Sequence, residues 1–132
     1  MKTITIQSNA KNNGHYVPGM ISRGMLYISG QLPVDHETGS MTEGGIAAQT
    51  MTALRNVERV LAAAGAAKEN VVMCRVYIPD VAHWDEVNRV YAAFFGEHKP
   101  ARVIVPTRDL HHGALVEIEA MAEMPEEVSE NE

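Results

Sequence analysis

The chain has 132 residues, which suits one domain with a single core and no need of staples. Lys and Arg total 11 against 17 Asp and Glu, and the resulting net charge of −6 argues against affinity built on neutralising phosphates. One cysteine, Cys74, excludes an internal disulfide and a Cys-based zinc site, and no apolar run approaches the roughly 18 residues a membrane helix needs.

The opening MKTITIQSNAKNNGHY holds no apolar stretch of signal-peptide length, so a cytoplasmic protein is expected. Thr3 to Gln7 alternates and suits a short strand, and Ser8 to Gly14 reads as a loop. Tyr16–Ser22 and Met25–Gly30 read as two strands joined by a tight turn at Arg23-Gly24. Leu32 to Gly45, with Pro33, Asp35, Gly39, Gly44 and Gly45, is irregular. The period then changes: Ile46, Thr50, Ala53, Leu54, Val57, Leu61 and Ala64 recur at helical spacing, and Gly65 follows as a helix-ending residue would. Asn70 to Ile78 is rich in β-branched residues and strand-like. Trp84, Val87, Tyr91, Phe94 and Phe95 mark a second amphipathic helix, closed by Gly96 and Pro100. Ala101–Thr107 predicts a strand, Leu110–Gly113 a turn and Ala114–Ala122 the last strand. The acidic end, Pro125 to Glu132, has almost nothing to bury and reads as a flexible tail, leaving residues 1–124 as one domain.

The order β-β-β-α-β-α-β-β gives an α+β fold. Two helices cannot cover both faces of a sheet of about six strands, so the other face is solvated or covered by another copy of the chain. In the last strand Val116, Ile118, Ala120 and Ala122 suit the helix-covered core, while Leu115, Glu117, Glu119 and Met121 share the other face. Apolar groups beside carboxylates suggest a subunit contact and predict a homo-oligomer.

Generic catalytic motifs are absent: no nucleophile elbow, no Walker loop, no dinucleotide fingerprint and no zinc-protease motif. No histidine pair has metal-ligand spacing, His111-His112 included, so no metal site is expected. Cys74 sits in a strand expected to be buried, where a thiol is inert core. Trp84, Phe94 and Phe95 read as packing. Three polar groups stand out: Arg102 opens a strand that is otherwise Val-Ile-Val, Glu117 lies between Val116 and Ile118, and Ser29 precedes Gly30. If the last two strands pair through the Leu110–Gly113 turn, one register sets Arg102 opposite Glu117 and Ile104 opposite Leu115. Such a pair is either a structural ion pair of little worth or a carboxylate receptor, in which an Arg fork grips the ligand and a nearby Glu orients water or accepts a proton.

At this point the segments LYISGQLPVDHETG, EGGIAAQTMTALRNVERVLAAAG, VNRVYAAFFGEHKPAR and ALVEIEAMA resemble the RidA/YjgF family of reactive intermediate deaminases, from about Asn9 to Met124. The resemblance implies a chorismate-mutase-like fold, a mixed sheet of about six strands with two helices on one face. It also implies a homotrimer whose sheets pack inward as a barrel and whose clefts lie between subunits. The implied activity is cofactor-independent hydrolysis of enamines and imines, 2-aminoacrylate or related 2-imino acids, to 2-keto acids and ammonium. Residue by residue, Arg102 corresponds to the family's carboxylate-binding arginine, Glu117 to the glutamate that positions water, Ser29 to the cleft serine and Tyr16 to the aromatic of its Gly-Pro-Tyr segment. That segment reads Gly14-His15-Tyr16 here. Val103 and Ile104 stand where the archetype has Ser and Cys, and Leu110-His111-His112-Gly113 replaces Leu-Pro-Lys-Asp. Ile104 is thus expected to line the substrate cleft without thiol chemistry. The alternative is a non-catalytic trimeric protein that binds small carboxylates such as 2-keto acids. RNA cleavage, attributed to some relatives, is opposed by the charge of −6 and the lack of a basic-aromatic surface, and neither nucleic acid nor membrane is expected as partner.

Overall fold

Alternation, helical periodicity and turn chemistry place the elements where they form in the computed structural model, which describes residues 1–12 and 14–126. Among the described residues these are β1 (Lys2–Ile4), β2 (Gly19–Ser22), β3 (Met25–Gln31), α1 (Ile46–Ala64), β4 (Val71–Ile78), α2 (Trp84–Phe95), β5 (Ala101–Pro106) and β6 (Glu117–Glu123). No helix among them is long and apolar enough to cross a membrane. Residues 127–132 of the expected acidic tail lie outside the described residues.

The β2–β3 hairpin turns through Arg23 and Gly24, both at positive φ (51° and 77°), as a tight turn matched to strand twist requires. Helix α1 ends where glycine permits a left-handed residue: Gly65 has φ 84°, its N–H reaches Ala62 O at 3.1 Å and the Ala66 N–H reaches Leu61 O at 2.9 Å. The sheet runs β1-β2-β3-β6-β4-β5. All neighbours are antiparallel except β4 and β5, which are parallel and joined by α2 as a crossover.

Both helices lie on one face. Leu54, Val57, Val60 and Leu61 from α1 and Val87, Val90 and Phe94 from α2 are buried with Leu26, Ile28, Val76, Ile78, Ile118, Ala120 and Ala122 of the sheet. The opposite face carries Tyr27, Met121, Arg75, Glu119, Tyr77, Glu117 and Val103, a mixture in which Tyr27 and Val103 stay 44% and 40% exposed.

Some boundaries differ from the sequence expectation. The first strand spans Lys2–Ile4 rather than Thr3–Gln7, and the second begins at Gly19 rather than Tyr16, with the carbonyls of Val17 and Pro18 just before it taken by Ser29. The last begins at Glu117 because buried Gln49 intercepts the Leu115 N–H at 2.9 Å while donating to Thr42 O at 3.1 Å. The pairing of the last two strands is corrected outright. The crossover sets β5 on the outer edge of β4, so β4 lies between β5 and β6 and Arg102 is not opposite Glu117.

The irregular segment after β3 is tied to α1 by Asn56, which is 3% exposed and donates from Nδ2 to Leu32 O (3.0 Å) and Val34 O (2.8 Å). Asn56→Ala removes both bonds and leaves Val34 O without its donor, while Leu32 O keeps the Val34 N–H, and is expected to cost about 1–3 kcal/mol. Urea unfolding measures it, and a midpoint equal to wild type would show that the segment is held otherwise.

Candidate functional site

Two separate groups of polar residues emerge from this framework. The first lies on the open face. Between Ile28 and Gln31 the β3–β6 register shifts, and Ser29 and Gly30 occupy the irregularity. There the Ser29 hydroxyl donates to Val17 O at 2.6 Å and its N–H to Pro18 O at 3.0 Å, which ties the segment following exposed Tyr16 to β3. Over Gly30 lies the Glu117 carboxylate: a methyl group at Gly30 would sit 2.6 Å from Glu117 Oε2. Glycine here lets the carboxylate lie over the backbone, and any side chain at this position would push the Glu117 carboxylate aside.

Glu117 and Glu119 share a face but not an environment. Glu119 accepts a hydrogen bond from the Tyr77 hydroxyl and lies 3.6 Å from Arg75 Nη1. Glu117 has neither hydrogen bond nor ion pair among the described residues. Burial first, and then the charge of Glu119, push its carboxyl above the usual carboxylate range, against a smaller opposing pull from His111. It is the carboxylate left free to act on something else.

The second group lies on the helix side, at the sheet edge. Arg102 aligns with Cys74 of β4 and so points toward the helices. Its Nη1 donates to Asn88 Oδ1 at 2.8 Å, and its guanidinium carbon sits 4.8 Å from the Tyr91 ring centre and 5.4 Å from that of Trp84. Asn88, Tyr91, Phe95, His98, Lys99 and Arg102 line a cleft of about 380 Å³ here. Arg102 makes no ion pair with any described carboxylate. Ile104, two residues on, shares this face and packs against the core as a partly buried side chain. Beneath, Cys74 is buried and its thiol is pushed up to about 11, as an unreactive core group.

Within one chain these groups do not meet. Arg102 shares its row with Cys74 and Ala120, under the helices, whereas Glu117 aligns with Tyr77 and Val105 on the other face. Tyr16, Ser29 and Glu117 thus belong to one half, and Arg102 and Ile104 to the other. Sequence reasoning missed Asn88 and took Trp84 for packing alone. The spacing of Trp84, Asn88 and Tyr91 (i, i+4, i+7) held the signal, since it sets all three on one helix stripe.

Residues 6–124 match the family described as Endoribonuclease L-PSP. A RutC family protein of Pyrococcus horikoshii is 40% identical over 123 residues, covering 92% of this chain and 98% of that protein. Among solved structures, the yjgF gene product of E. coli is similar at a TM-score of 0.88 with 35% identity, over 95% of this chain and 100% of that one. E. coli TdcF with bound serine is similar at a TM-score of 0.88 with 32% identity, over the same shares of 95% and 100%.

The contrast between the two glutamates is open to direct test. Titration of side-chain carboxyl carbons by NMR is expected to place Glu117 above the ordinary Glu range near 4.3. Glu119→Gln removes the like charge and is expected to move Glu117 back toward it. An unmoved Glu117 in that variant would assign its shift to burial alone.

Proposed function

The chain belongs to the YjgF/RidA family, described by its match as Endoribonuclease L-PSP, and from that premise we propose that it hydrolyses reactive enamines and imines such as 2-aminoacrylate. The products are 2-keto acids and ammonium. The observation that carries the reading is Arg102: a half-buried guanidinium facing a cleft, with no carboxylate on it among the described residues. A planar fork in that condition suits the carboxylate of a small organic acid, which it grips with two parallel bonds. TdcF carries bound serine, itself an α-carboxylate compound.

Separation of the two halves supports an assembly in which a second copy completes the cleft. The open face, with its exposed Tyr27 and Val103 beside carboxylates, suits burial against another copy, in keeping with the trimer that the family resemblance implies. Glu117 and Ser29 of one copy then approach Arg102 of the next. The chemistry needs few parts. Arg102 holds the carboxylate, so that C2 of the imine, electrophilic once its nitrogen is protonated, sits at a fixed distance from the acidic half. Glu117 accepts a proton from water as the water oxygen bonds to C2. The nitrogen of the resulting carbinolamine takes up that proton, the C–N bond breaks with its electron pair leaving on nitrogen as the hydroxyl oxygen forms the keto C=O, and the hydroxyl proton, taken by Glu117, passes to the departing ammonia to give ammonium. A carboxylate whose affinity for protons is raised serves better as that acceptor than an ordinary one. Imines hydrolyse readily in water, so the acceleration required is modest and comes mostly from positioning, with Glu117 adding proton transfer.

Phosphodiester cleavage, which the family description names, is a poorer fit for a chain of net charge −6, because phosphate contacts draw on clustered cations.

Arg102→Ala is expected to abolish imine consumption, a loss of at least about a hundredfold if a bidentate charged contact worth about 3 kcal/mol disappears. Glu117→Gln is expected to cut turnover by about ten- to a hundredfold while 2-keto acid affinity changes little. A dehydratase-coupled assay of ammonium release, with calorimetric binding of 2-oxobutanoate alongside, separates the outcomes. Binding without turnover in wild type would favour the non-catalytic carboxylate-binding alternative, and full turnover in Arg102→Ala would overturn the mechanism.

A further inference from the structure

Arg102 is held in a way that the ion-paired arginines of the structure are not. Arg75 lies against Glu119 and Arg89 against Glu86, each with its charge answered by a carboxylate. The contacts of Arg102 are the Asn88 amide oxygen and the faces of Trp84 and Tyr91, all of them uncharged. Resting on the reading of Arg102 as the carboxylate receptor, we propose that Asn88 is a positioning residue for that reading's reaction: it orients the guanidinium without neutralising it, and its neutrality is what the site requires.

The geometry supports each part. An arginine at a sheet edge has a flexible stem, and its rotamer entropy opposes any single pose. Trp84, Asn88 and Tyr91 recur at i, i+4 and i+7 on α2, so one helix stripe presents ring, amide and ring to the same guanidinium. The rings restrain it through cation–π attraction on its flat faces, and the amide restrains its rotation within the plane by one bond at Nη1. Arginine has only donors, so the amide must turn its oxygen to it. Of the five guanidinium N–H groups one is bonded to Asn88, which leaves the rest for a ligand. The charge is left for the ligand as well. A carboxylate at position 88 would have almost the same shape and would grip Arg102 more tightly, since charge-assisted bonds are roughly twice as strong as neutral ones. It would also compete for the fork with any acid entering the cleft.

A purely structural Asn88 and a neutral positioning Asn88 therefore predict opposite effects for one substitution. Equilibrium binding of 2-oxobutanoate and of its uncharged amide, 2-oxobutanamide, is measured by calorimetry on wild type, Asn88→Asp, Asn88→Ala and Arg102→Ala, with a thermal melt of each. The expected result for Asn88→Asp is a melting temperature equal to or above wild type, a Kd for 2-oxobutanoate raised at least tenfold, and no comparable loss for the amide. Asn88→Ala is expected to raise the 2-oxobutanoate Kd several-fold, and it carries the test if the Asp variant does not fold. Wild-type affinity in Asn88→Asp or in Asn88→Ala, with Arg102→Ala losing binding, overturns the positioning role and leaves the functional reading standing. Wild-type affinity in Arg102→Ala, or no binding of 2-oxobutanoate by wild type, overturns both.

Discussion

A guanidinium half-buried against two aromatic rings has given up part of its water, and one neutral hydrogen bond returns only a fraction of that solvation. An isolated cation so placed is costly to hold, and the cost falls when an anion arrives. Arg89 settles the matter locally with Glu86 three residues earlier on α2. Arg102 has no such recourse. Its own strand carries Val103, Ile104 and Val105, and the helix stripe above it offers an amide and two rings. On the proposed function this pre-organises the cleft for a small acid, with the guanidinium oriented in advance and no described carboxylate on its charge.

Strand alternation then keeps Glu117 of the same chain away from Arg102. A β4–α2–β5 crossover places β5 beyond β4, and the two-residue period turns Arg102 and Glu117 to opposite faces of one sheet. No side-chain rotamer bridges a packed sheet. The same alternation that buries Val116, Ile118, Ala120 and Ala122 under the helices puts Glu117 and Glu119 among Tyr77, Arg75 and Met121 on the uncovered face. Core formation and site construction are one operation here, and the face that needs a cover is also the face that holds the acid.

Much of this was legible before any coordinates. Element order followed from period changes that are hard to mistake: two-residue alternation up to Gly30, 3.6-residue recurrence from Ile46, and glycines at 65 and 96 that stop each helix. Parity in the last strand separated core from open face correctly, because a strand can point a side chain only two ways. What failed was long-range. Local pattern favours pairing β5 with β6, its successor in sequence, and nothing in either strand announces that β4 claims the place between them. That preference comes from the parallel crossover through α2, a tertiary constraint that no window of residues contains. Asn88 escaped notice for a related reason. A lone amide in an amphipathic helix has no meaning until the strand beneath it supplies an arginine.

The two substitutions beside Arg102 look equivalent in sequence and are not. Ile104 shares the Arg102 face and is partly buried against the core, so it fills space near the cationic half and leaves little reach into the cleft. Val103 points the opposite way, aligned with Arg75 on the open face, and is 40% exposed. An aliphatic residue in that position adds apolar area to the surface that a second copy would cover, about 25 cal/mol per Å² removed from water. Val103 thus lies on the face a second copy would meet, while Ile104 packs against the core and is not among the residues that line the Arg102 cleft, contrary to the sequence expectation. Neither touches the guanidinium, its amide or the free glutamate. On the proposed function the guanidinium, its amide and the free glutamate are the parts on which the chemistry depends, and two aliphatic residues flank the first of them without supplying a competing charge.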